Sequence, residues 1–191
     1  MRESMKKWIV VIAATSFLSA CADTHQVLRS EGQVLAIART DSVYIALPEP
    51  GAYRSEKYWN SGKQTQDAFS EAFEANGATV VIADEVQFIE EAKTVARASG
   101  ARYLIFPVIT QWEDHLTEWS GYPDFIGVKI DLVSLEEDGK TETGKIHAHS
   151  GLATLGGDHP EDLLPTAVSE YVNALYDVEP DEEQSVTPIQ R

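Results

Sequence analysis

"GATVVIADEVQFIEEAKTVARASGARYLIF", Gly77 to Phe106, is the stretch whose reading decides the fold. "ATVVIAD", Ala78 to Asp84, is a short apolar run of the kind buried on both faces of a sheet. "DEVQFIEEAKTVARASG" then reads as a helix. Asp84 and Gln87 stand in capping-box spacing, Gly100 closes the far end, and Phe88, Ile89, Ala92, Val95 and Ala96 form an apolar set inside. "ARYLIFPVITQW", Ala101 to Trp112, returns to a strand, with Pro107 marking a bulge or an edge position. Strand, helix, strand is a βαβ unit, and its crossover makes the two strands parallel.

The same unit extends towards the amino terminus. "SVYIALP", Ser42 to Pro48, is another apolar strand. "SGKQTQDAFSEAFEANG" follows, with Ser61 and Gln64 in capping-box spacing, Gly77 at its end, and Ala68, Phe69, Ala72 and Phe73 along one face. Towards the carboxyl terminus, "FIGVKIDLVSL" and "GKIHAHSGLATL" flank the turn-like "EEDGKTETG" and predict an antiparallel hairpin. "DHPEDLLPTAVSEYVNALY" predicts a last helix, starting at Asp158 with Glu161 three later. Pro160 sits in its first turn, where it removes no helical hydrogen bond. The apolar face of that helix is Leu163, Leu164, Ala167, Val168, Tyr171, Val172 and Leu175. The expected architecture is α+β: a βαβαβ half plus an antiparallel hairpin in one mixed sheet, with three helices packed on it.

Outside this domain, "MRESMKKWIVVIAATSFLSAC" reads as a secretory leader. Arg2, Lys6 and Lys7 are a cationic start, and Trp8 to Phe17 is an apolar run of about ten residues, too short for a bilayer that needs ~20. Leu18-Ser19-Ala20-Cys21 resembles the lipobox of bacterial lipoproteins. In that family the cysteine sulfur receives a diacylglycerol, the leader is cut before the cysteine, and the freed amine is acylated. The resemblance implies that Cys21 is a lipidation site. It also accounts for a lone cysteine in an oxidising envelope, where disulfides come in pairs. Several acyl chains hold a soluble domain far more firmly than one can. In the sorting rule of enterobacterial lipoproteins, aspartate directly after the cysteine retains a protein in the inner membrane. Ala22 stands there instead, which implies the outer membrane, with the domain on its periplasmic face.

The expected organisation is therefore a signal peptide over 1–20, a tether over 21–40, an α+β domain over 41–177 and an acidic disordered tail over 178–191. The tether has room for one extra strand or helix around Val34 to Ala38. The tail reading rests on "DVEPDEEQSVTPIQR", which has acids and prolines but little apolar periodicity. The chain carries 15 basic and 31 acidic residues, a formal charge of −16. Loss of the leader, with three cations against Glu3, makes it more negative still. So acidic a surface repels nucleic acid and anionic headgroups, so neither DNA, RNA nor polybasic docking on a membrane is expected.

"DSVYIALPEPG", "ASGARYLIFPVITQWED" and "GLATLGGDHPEDLLPTAVSEYVNALY" together resemble a small family of proteobacterial lipoproteins, the DUF4823 domain of unknown function. Pro160-Glu161-Asp162-Leu163-Leu164 is the most specific part. The resemblance covers most of the mature chain, implies an envelope lipoprotein and supplies no catalytic residue. More distantly, the βαβ half is similar to the amino-terminal domain of the TolB translocation protein and to the curli-secretion lipoprotein. Those are assembly or export components.

Motifs for catalysis are sparse. The chain has no Gly-x-Ser-x-Gly elbow, phosphate-binding glycine loop or His-Glu-x-x-His helix. His147 and His149 share one face of a strand and could bracket a transition metal, given His159 or an acid as a third ligand. They read first as polar residues on a solvated face, so no metal or cofactor is expected. "WEDH", Trp112 to His115, offers Glu113, Asp114 and His115 for acid–base work, though such clusters at strand ends are usually solvated. Two loops are rich in aromatic residues: one has Tyr53, Tyr58 and Trp59, the other Trp119, Tyr122 and Phe125. Both follow parallel strands, so they emerge at one edge of the sheet, with Asp84 and Glu85 expected between them. Ligands of open α/β sheets bind beyond such strand ends, and exposed Trp and Tyr are enriched in binding hot spots. Two roles stay open. One is a binding or assembly-accessory module that meets another envelope protein through Tyr53, Tyr58, Trp59, Trp119 and Tyr122. The alternative is a small envelope hydrolase or metal-dependent enzyme, which would need a deep pocket gathering His115 or His147 with carboxylates of shifted pKa.

Overall fold

The computed structural model describes residues 23–29, 35–115, 122–136, 140–151 and 159–177. Its elements are β1 (Thr24–Arg29), β2 (Ser42–Leu47), β3 (Ala52–Tyr53), β4 (Glu56–Lys57), α1 (Ser61–Ala75), β5 (Thr79–Val86), α2 (Ile89–Ala98), β6 (Tyr103–Glu113), β7 (Phe125–Ser134), β8 (Thr141–His149), a 3₁₀ turn (Pro160–Leu163) and α3 (Leu164–Tyr176). Six strands form one mixed sheet in the order β1-β8-β7-β6-β2-β5, and β3 and β4 form a separate small ribbon. β2 is parallel to both β5 and β6, and the remaining pairs are antiparallel. The fold is α+β, as expected.

Alternation along the strands divides the core into two layers. Val43, Ile45, Ile105, Ile126, Val128, Ile130, Leu132 and Ile146 face α1 and α3, which bring Phe69, Phe73, Val168, Tyr171, Val172 and Leu175. The whole predicted stripe of α3 is buried. On the other face, Tyr44, Ala46, Leu104 and Val133 cluster with Ala83 and Ala101, and the buried residues that α2 adds are Ala92 and Ala96. Two alanines cover little, so Phe88 (86 % exposed) and Val95 (38 % exposed) lie outside the core. The predicted helix end at Gly77 and the end at Gly100 both take positive φ, the left-handed backbone that suits glycine.

Helix starts differ from their sequence signals. β5 runs on through Asp84 and Glu85 to Val86, so α2 begins at Ile89 after Phe88. Gln87 serves Tyr44 rather than a cap, accepting a 3.0 Å hydrogen bond from its hydroxyl. Ser61 is already helical, and its Oγ instead accepts from the Gly51 N–H and donates to the Tyr58 carbonyl, each at 2.7 Å. The last helical segment opens at His159, whose N–H donates to Asp162 Oδ2 at 3.0 Å, one place later than the Asp158–Glu161 spacing suggested. β5 is an edge strand with only Ala83 buried, not a strand buried on both faces. Asp84 and Glu85 near its end are charges of the kind that disfavour edge-to-edge pairing. β2 leaves β6 after Ile105, so Pro107 faces no partner on that side, and the register shifts further on, between Ile109 and Gln111.

The stretch expected as a tether contributes to the sheet. Its described strand is Thr24–Arg29, which pairs with β8 along its whole length, while residues 35–38 are irregular and Val34 lies outside the described residues. Ile37, in irregular chain, enters the core. Charge fixes β1. Arg29 donates from Nε to Glu142 Oε1 at 2.5 Å and from Nη2 to Oε2 at 2.7 Å, and Glu142 is fully buried. Its remaining donors reach the carbonyls of Ala174 (2.6 Å) and Leu35 (2.9 Å), while the Leu35 N–H donates to Glu142 Oε2 at 2.7 Å. One ion pair thereby joins β1, β8, the chain entering the domain and the end of α3. Arg29→Met leaves a carboxylate buried without its fork, at a cost of about 3–5 kcal/mol. Urea denaturation at neutral pH should show a large drop in midpoint, mostly recovered when Glu142→Leu is added. An unchanged midpoint in Arg29→Met would mean that the fork ties nothing.

Candidate functional site

The carboxyl ends of β2, β5, β6 and β8 and the amino ends of β1 and β7 make one edge of the sheet, since Thr24 pairs with His149, His149 with Phe125, and Phe125 with Glu113. The chain leaving β2 folds back on this edge. Gly51 permits the approach, because a Cβ there would stand 2.7 Å from Trp112 Cβ. The β3–β4 ribbon then turns at Arg54, which adopts φ 55°. This return lays Tyr53 edge-on against His115, with centroids 5.4 Å apart and the hydroxyl 3.4 Å from Nε2. Tyr122 stacks on His115 at 5.9 Å and 26°.

The His115 backbone is held from below. Its N–H donates to Asp124 Oδ1 at 2.6 Å, the Asp124 N–H donates to Ser150 Oγ at 2.9 Å, and the Ser150 N–H returns to the Asp124 carbonyl at 3.1 Å. The imidazole Nδ1 lies 3.8 Å from Asp124 Oδ1 and Nε2 lies 3.8 Å from Glu113 Oε2. Asp114 meets His159 at 3.7 Å. Burial pushes the Asp124 carboxyl up from its ordinary value, opposed by the His115 N–H it accepts. Burial also raises the Tyr58 phenol.

Of the residues singled out in sequence, Tyr53 and Tyr122 come together, with His115 between them. Tyr58 packs against the core, whereas Trp59 is 74 % exposed with the Lys57 ammonium 4.5 Å from its ring centre. Cys21 and Trp119 lie outside the described residues. Asp84 and Glu85 do not sit between the two loops: β2 is the middle of the three parallel strands, so they lie beyond it on the outer strand. The interleaving of His115 with the aromatic loops was missed, although "WEDH" and "GYPDF" flank one loop. His147 is exposed on the open sheet face, and His149 tilts on Phe125. Among the described residues no group of three or more His, Cys, Asp or Glu is placed to hold a metal ion, and no helix is long and apolar enough to cross a membrane. Grooves of about 630 Å³ along α3 and about 370 Å³ beside Arg102 and Tyr103 lie away from His115.

Chemically, the edge is a packed ring cluster above a carboxylate that binds backbone, with aromatic and basic groups at its rim. Asp124 binds more protons folded than unfolded between the ordinary value of 3.8 and its raised one, so its contribution falls as pH rises through that window. Asp124→Asn keeps an acceptor for the His115 N–H and removes that dependence. Thermal unfolding should therefore show the variant gaining on the native chain as pH rises through the window. A constant difference would show that Asp124 titrates alike in both states.

The family model described as Domain of unknown function (DUF4823) matches residues 35–175. No curated protein matches the chain. Among solved structures, the PelC dodecamer from Paraburkholderia phytofirmans is similar at TM-score 0.62 and 16 % identity, covering 82 % of this chain and 100 % of that one. Lipoprotein GNA1162 from Neisseria meningitidis aligns at TM-score 0.45 and 14 % identity, covering 72 % and 99 %. With most of its described fold inside that family model, the chain belongs to the DUF4823 family.

Proposed function

We propose that this protein is an outer-membrane lipoprotein, anchored through acyl chains on Cys21, whose periplasm-facing domain holds or helps assemble another envelope protein. The carrying observation is the distance between anchor motif and fold. Asp23 Oδ1 accepts a 3.1 Å hydrogen bond from the Gly151 N–H, and β1 starts at Thr24. The cysteine of Leu18-Ser19-Ala20-Cys21 is thus two residues from fixed structure, at most about 7 Å of chain. Such a domain is a membrane-surface part rather than a freely diffusing catalyst.

Two further observations support a binding role. The His115 ring, the best-placed acid–base group, is only 15 % exposed and packed against Tyr53 and Tyr122. The fold is also one that forms a dodecamer in PelC, so it lends itself to assembly.

Labelling of cells with an alkyne fatty acid tests the anchor. The native protein should be labelled and fractionate with outer membrane, and Cys21→Ala should be unlabelled and either unprocessed or unanchored. An unlabelled mature protein with a different amino terminus would overturn the reading.

A further inference from the structure

Lipid on Cys21 determines which way the domain faces. Asp23, pinned to Gly151, sits at the same sheet edge as His115, Tyr53 and Tyr122. The pairing Thr24–His149–Phe125–Glu113 carries that edge across the sheet, and at about 4.8 Å per strand it is some 24 Å from β1 to β5. About 7 Å of chain between acylated cysteine and edge cannot carry the domain clear of the headgroup layer. We propose that this edge lies on the glycerophospholipid bilayer that holds the Cys21 acyl chains, with the rim of the β3–β4 ribbon, Trp59 and Tyr122 at headgroup depth.

The rim has the chemistry of that depth. Trp and Tyr favour the membrane–water interface because each has an apolar body and a polar tip. Trp59 and Tyr122 are 74 % and 71 % exposed there. Arg54 stands over the Tyr53 ring at 4.9 Å and Lys57 over the Trp59 ring at 4.5 Å. Long cationic side chains beside aromatic rings can reach lipid phosphates while their stems stay on apolar surface. Glu49, 3.9 Å from Lys57, and Glu56 keep the ribbon from being strongly cationic, which suits a largely zwitterionic surface. The inference rests on the lipoprotein reading and gives Trp59 and Tyr122 to lipid instead of to a protein partner. The opposite edge, with the end of β7 and the start of β8, then points into the aqueous space.

The test uses the full lipidated protein in vesicles of phosphatidylethanolamine and phosphatidylglycerol. Native Cys21 is acylated, so a second cysteine can carry an environment-sensitive fluorophore. Trp59→Cys and Tyr122→Cys probe the rim, Ser55→Cys probes the ribbon tip should Tyr122→Cys disturb the stack on His115, and Lys140→Cys marks the far edge. Labels at 59, 55 and 122 should shift to the blue, brighten several-fold and resist a water-borne quencher, while the label at 140 behaves as in water. Rim labels that match position 140 in a protein that floats with the vesicles overturn this inference and leave the lipoprotein reading standing. The same holds if a photo-crosslinker at position 59 in cells captures protein and no phospholipid. A protein without fatty-acid label that fails to float overturns both.

Discussion

The buried fork between Arg29 and Glu142 is the constraint on which the rest of the structure depends. A carboxylate with no exposure needs its charge matched and its lone pairs filled, and one guanidinium with the Leu35 N–H does both. The consequence is mechanical. β1 is an edge strand, and edge strands alone are weakly held. Here one end is tied by Arg29 to β8 and α3, and the other by Asp23 to Gly151 and by His25 to Glu170 of α3. Whatever is attached to the start of β1 is therefore attached to the whole sheet.

That rigidity gives the His115 edge its meaning. Asp124 and Ser150 lock the ends of β6, β7 and β8 to one another through backbone N–H groups. Tyr53 and Tyr122 then cover the imidazole, leaving Trp59, Arg54 and Lys57 outward. The other exposed sheet surface has a different character. α2 covers only the β5-β2-β6 side with small alanines, and beyond it Lys129, Asp131 and Thr143 form a polar network with bonds of 2.9 Å.

Most of the scaffold was legible because its signals are local. The stripe of α3 repeats at helical spacing through Leu164, Val168, Tyr171 and Leu175, and all four are buried. The parallel arrangement followed from the alternation of strand and helix. What could not be read depends on distant partners. "THQVLR" is a short half-polar run whose mate, β8, lies more than a hundred residues away. "TETG" looked like turn because Glu142 is acidic, and only Arg29 makes a buried acid tolerable there. Asp84 with Gln87 had the spacing of a cap, but pairing of β5 with β2 through Val86 carries the chain past it. The aromatic loops were visible, whereas the ring between them was not: nothing in "WEDH" says that its histidine is the one that packs.

The central claim is that the chain beginning two residues after Cys21 is part of the sheet. Amide hydrogen exchange on the purified protein measures this directly. In the peptide spanning Thr24–Arg29, the amides that bond to β8 should exchange as slowly as those of the β7–β8 ladder, and Arg29→Met should release them before the rest of the sheet. Free exchange of that peptide in an otherwise protected native domain would mean that β1 is a leash, and would contradict the account.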